Sequence, residues 1–164
     1  MTFNQYLQSV EACKPAVEWA GNKTIEEVVA TCHRGDWLLW LAKKCDIGLQ
    51  PLTLAKGHCA NIIRHLMKDE RSIKAVDVAI AFGEGKATRE ELDAAADAAY
   101  YAEADGAYYA AAAAAAYAAA AYYAAAAAAY VAAAANRMQT ADICRKYIGE
   151  LIIEKINQIL TQTT

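Results

Sequence analysis

Two Cys-His dipeptides, Cys32-His33 and His58-Cys59, carry side chains that bind zinc or build a nucleophile. On a helix, adjacent residues point about 100° apart, so neither pair can close on one ion by itself. No third orienting residue or oxyanion-hole turn can be placed beside either pair, so no catalytic residue, metal ligand or cofactor is expected. Gly83-Glu84-Gly85-Lys86 is too short for a phosphate loop and follows no strand. The remaining corner is Arg34-Gly35-Asp36 beside Trp37 and Trp40, a charged turn against two indoles. It reads either as a recognition site centred on Arg34 and Asp36 or as a helix cap plus core packing.

The elements that position these residues are helices. The chain has 164 residues, with 41 alanines, eight glycines and only two prolines, a composition that predicts an all-α fold. Residues 3–13 and 15–20 read as one helix, or two broken at Pro15, closing at Gly21. A capping box at Thr24 and Glu27 opens a helix to about His33, and Asp36 is the expected N-cap of a helix over 37–45. Trp37, Leu38, Trp40 and Leu41 form its core-facing stripe. Apolar positions predict further helices over about 52–67 and from Ile73 to Gly83. Thr88 and Glu91 make a second capping box. Ile143, Tyr147, Ile148, Leu151, Ile152, Ile156 and Ile159 give a C-terminal amphipathic helix over 140–160.

Between Ala94 and Ala135 the sequence is 29 alanines and eight tyrosines in 42 residues. On a continuous helix Tyr100, Tyr101, Tyr108, Tyr109, Tyr122, Tyr123 and Tyr130 fall on one half of the cylinder, with Tyr117 the exception. Asp105-Gly106 is the one plausible break. No charge occurs between Gly106 and Asn136, so the tract must be covered by the rest of the chain or by a partner. The expected architecture is one domain, 1–164. A short-helix half (1–86) packs along the long helix (88–135), and the C-terminal helix (137–160) returns antiparallel after a turn near Asn136. A membrane span is disfavoured, because alanine is near neutral on insertion and tyrosine prefers the interface. The net charge of -3 without clustered Lys and Arg argues against DNA. Five cysteines without a Cys-x-x-Cys spacing read as reduced, buried thiols in a cytoplasmic protein. The bare alanine face suits a homodimer.

The stretch from Cys32 to Leu41, then Leu52-Thr53-Leu54-Ala55 and an Ala/Tyr tract ending in Ala141-Asp142-Ile143-Cys144-Arg145-Lys146-Tyr147, resembles the predicted immunity proteins of bacterial polymorphic toxin systems. That resemblance spans roughly residues 24–148 and implies an all-α cytoplasmic protein that neutralises a toxin by binding it. The family intersperses Asp and Arg among its alanines, whereas this tract has no Arg and no Asp beyond Asp105. The sequence thus predicts a non-enzymatic inhibitor of a partner protein, a toxin or a defence factor, which binds through Arg34, Asp36 and the seven tyrosines. The alternative is a protein that sequesters a small molecule or nucleotide between its tyrosines, since stacking of a base contributes about 1 to 3 kcal/mol.

Overall fold

A computed structural model describes residues 1–62, 64–67, 69–99 and 120–162, with the side chains of 66 and 120–135 outside the description. Among the described residues the chain is helical throughout, as its composition predicts, and no strand occurs. The helices are α1 (Phe3–Ser9), α2 (Lys14–Ala20), α3 (Ile25–Thr31), α4 (Gly35–Lys44) and α5 (Leu49–Asn61). A single 3-10 turn (Arg64–Leu66) leads to α6 (Glu70–Gly83), then α7 (89–99) and α8 (Ala120–Gln162).

Local chemistry accounts for most boundaries. Thr24 and Glu27 form the expected reciprocal cap, and so do Thr88 and Glu91. Thr2 and Gln5 make a third such box at the start of α1. Pro15 sits in the first turn of α2, where its missing N–H is not needed, and Pro51 does the same in α5, which therefore starts at Leu49 rather than Leu52. The helix expected over 52–67 ends at Asn61, and the turn that follows brings the Arg64 guanidinium onto the Asp77 carboxylate of α6. Asp36 is not an N-cap. The helix begins one residue before it, Arg34 holds the cap position, and Asp36 lies in the first turn, where its charge suits the helix dipole.

The core runs along one stripe of α8. Ala141, Cys144, Ile148, Ile152 and Ile156 recur at spacings of three and four and are wholly buried. Facing them are Val28 and Val29 of α3, Leu38, Leu41 and Ala42 of α4, and Leu52 and Ala55 of α5. Leu151, expected on the buried side, is exposed instead, because the buried stripe runs one position C-terminal to it. Helix α6 lies on the far side of α5. Two crossings bring backbones almost into contact: a Cβ on Gly35 would stand 2.5 Å from the carbonyl carbon of Thr140, and one on Gly83 would stand 2.6 Å from Cα of Leu54.

The expected turn near Asn136 and the antiparallel return of the C-terminal helix are both corrected. The helix runs unbroken from Ala120 through Asn136 to Gln162, 43 residues and about 64 Å. No Gly or Pro occurs between Gly106 and Gly149, and Arg137, Met138 and Gln139 are good helix formers. One asparagine costs only about 0.6 kcal/mol relative to alanine, too little to stop such a helix. The packing described for α8 falls on its C-terminal part; that of the alanine tract lies outside the described residues. Among the described residues no helix is long and apolar enough to cross a membrane.

Candidate binding site

The corner that the sequence singles out opens onto a cavity of about 450 Å³. Its walls come from four helices: Phe3 and Leu7 of α1, Trp19 of α2, Val28 of α3, and Trp37, Leu38, Trp40 and Leu41 of α4. The ten-residue α4 supplies two indoles because Leu38, Leu41 and Ala42 take its buried stripe, which leaves Trp37 and Trp40 on the flank, half-buried. They pack against the core, as periodicity indicates, and wall the cavity at the same time.

Trp19, Trp37 and His33 form an aromatic triangle with centroid separations of 5.9 to 6.4 Å. Two cations sit on its outer faces: the Lys23 ammonium is 4.5 Å from the Trp19 centroid and the Arg34 guanidinium 4.7 Å from that of Trp37. Lys44 approaches Trp40 at 5.5 Å. The indoles are thereby fixed before anything enters the cavity.

Arg34 and Asp36 line the rim and are bound to each other. The guanidinium donates from Nε to Oδ1 at 2.8 Å and from Nη2 to Oδ2 at 2.5 Å, a bidentate pair. That pairing holds the Asp36 carboxyl below its ordinary range and raises Arg34. Among the described residues lining the cavity, Arg34 is the only Lys or Arg, against two carboxylates, Asp36 and Glu11. The described lining is thus net negative and its one cation is already paired, with Lys23 and Lys44 standing over the wall indoles Trp19 and Trp40.

Glu11 reaches the rim through an unusual helix end. It sits in the left-handed region, φ 59°, after the last turn of α1, with Ala12 N–H donating to Leu7 O at 2.9 Å and Glu11 N–H to Gln8 O at 3.1 Å. This is the Schellman geometry that glycine normally serves. Asp46 repeats it after α4, also at φ 59°. Cys13, at the rim, is exposed rather than buried, whereas Cys32 in the wall is buried and its thiol pushed up by desolvation.

Of the nine residues expected to bind, the structure brings Arg34 and Asp36 together at this cavity. Tyr100, Tyr101, Tyr108 and Tyr109 lie outside the described residues, as do the side chains of Tyr122, Tyr123 and Tyr130. Sequence reasoning missed Trp19 and Glu11. Trp19 is the one aromatic residue of α2, four residues before Lys23, and that spacing was the available signal; nothing in the sequence marks Glu11 as a helix stop. Of the two Cys-His pairs, His33 belongs to the aromatic triangle, and His58 stacks on Tyr147 at 4.4 Å with the rings nearly parallel. Among the described residues no group of three His, Cys, Asp or Glu could hold a metal ion. No protein-family model, curated protein or solved structure matches this chain.

Proposed function

We propose that this chain acts by binding, without catalysis, and that it neutralises a partner protein by receiving one of that partner's side chains in the tryptophan-walled cavity. The observation that carries the reading is the rim: Arg34 is neutralised by Asp36, so the cavity offers apolar walls and a spare carboxylate, Glu11, rather than an anion site. Its best occupant is an aromatic or branched apolar side chain next to a Lys or Arg. Preformed pockets of this kind, walled by indoles, are where binding energy concentrates at protein interfaces. The resemblance to immunity proteins points the same way and supplies the partner class, a toxin or a defence factor.

A second reading, sequestration of a small apolar molecule, has one observation in its favour: the cavity volume lies within the roughly 300–1,000 Å³ of small-molecule pockets. A nucleotide fits less well, because its phosphates would face Asp36 and Glu11. The test is affinity purification from the native cytosol of the chain and of Trp37→Ala, followed by calorimetry with the recovered partner. The protein-partner reading requires a stoichiometric protein whose affinity for Trp37→Ala falls at least about tenfold, or about 1.4 kcal/mol. A small molecule extracted from the purified chain, with no protein lost on substitution, would replace the first reading by the second.

A further inference from the structure

At Gly35, between the two rim residues, α4, α5 and α8 meet at a junction that holds a thiol from each of two helices. Gly35 presses on Thr140 there, and the absence of a side chain lets α4 and α8 close on each other. Cys59 of α5 places its Sγ 3.9 Å from the Thr140 carbonyl oxygen. Residues i and i+4 stack along one helix face, so that oxygen lies at the foot of Cys144, the next residue up the stripe. Cys144 in turn has its Sγ 3.6 Å from the Gly35 carbonyl oxygen, so both thiols sit at the Gly35–Thr140 contact. Both are free. Cys144 is wholly buried and Cys59 only half-buried, so a small solute reaches Cys59 first.

We propose that Cys59 and Cys144 form a redox modification site that closes to a disulfide on exposure to a two-electron oxidant of the peroxide class. The Cys59 sulfur attacks the O–O bond, giving a sulfenic acid and one water. The Cys144 sulfur then attacks Cys59 and expels its hydroxyl, which leaves with the Cys144 proton as a second water. Two electrons pass from the sulfur pair to the peroxide. Interaction with Cys144 favours the thiolate at Cys59, which suits it to the first attack, while that interaction and then burial keep Cys144 protonated until then. The product ties α5 to α8 across a long loop, which restricts the unfolded chain and slows separation of the two helices.

The test treats the folded full-length chain with hydrogen peroxide at low protein concentration, then maps cysteine peptides by mass spectrometry without reduction. The expected result is a Cys59–Cys144 linked peptide, a chain about 2 Da lighter at this pair, and a melting midpoint raised by roughly 5 to 10 °C. Cys59→Ser, checked for native helicity by circular dichroism, should lose both the link and the shift. Exposed Cys13 reports in the same digest that the oxidant acted. If Cys13 is oxidised while Cys59 and Cys144 stay reduced, or if Cys59 ends as sulfinic acid, or if Cys144 pairs with Cys32 instead, the proposal is overturned.

Discussion

The bidentate bond between Arg34 and Asp36 makes a small chemical decision with a measurable pH signature. The Asp36 carboxyl is depressed in the folded chain, so its contribution to stability is fully present above the ordinary aspartate value of about 3.9 and is lost as pH falls through the lower folded value. With the carboxylate half exposed, the contribution is under about 1 kcal/mol. Asp36→Asn should therefore flatten the acid limb of stability by that amount and leave stability near pH 7 lower by the same small increment, as read by urea unfolding across pH. Arg145 carries more. Its Nη1 donates to the Cys32 carbonyl at 2.7 Å and to that of Val29 at 3.4 Å, which satisfies the open end of α3 from α8. Arg145→Ala should cost about 2 kcal/mol, the value of a charge-assisted bond to a partly buried group. The role of Arg145 is not legible in sequence, because it depends on which carbonyl a long side chain finds across a helix junction. Arg34 and Asp36 were legible as a pair, since two opposite charges flank a glycine beside indoles; that they satisfy each other was not.

Some helix boundaries could be read from the sequence and others could not. The Thr24 and Thr88 boxes announce themselves by a Glu three residues on, whereas α1 and α4 stop at Schellman caps whose left-handed position holds Glu11 or Asp46 where glycine would be the usual signal. A side chain in that region costs about 1 kcal/mol relative to glycine. Asp46→Gly should raise stability by about that amount, and a lower melting midpoint would show that the carboxylate has a compensating role. The opposite failure occurred in α8, where a turn was expected at a residue with no breaking power. Continuity there has a direct test. Asn136→Pro should cost about 3 kcal/mol and reduce helicity by circular dichroism, because proline inside a helix removes a hydrogen bond and clashes with the preceding turn. Indifference to proline would favour a turn. Gly35 and Gly83 mark a third kind of feature, helix crossings set by backbone contact. They look like loop residues in sequence, and only the packing shows what they allow. Gly35→Ala should destabilise by about 1 to 3 kcal/mol through overpacking against Thr140.

The molecule as a whole is organised around the C-terminal stretch of α8. The all-α class followed from composition, because alanine excess and scarce proline leave few alternatives, and Ile148, Ile152 and Ile156 were legible from their spacing. The cavity was not, since it arises where four short helices fail to fill the space beside Trp19, Trp37 and Trp40, an outcome of tertiary packing that no periodicity contains. The chain has three tryptophans, and all three wall this one cavity. Its tryptophan emission, excited beyond the absorption band of its ten tyrosines, therefore originates from a single place. A guest that expels water from those rings would shift the spectrum to the blue without any attached dye, and quenchers such as acrylamide would lose access in proportion to occupancy. The protein thus carries an optical gauge of its own occupied fraction.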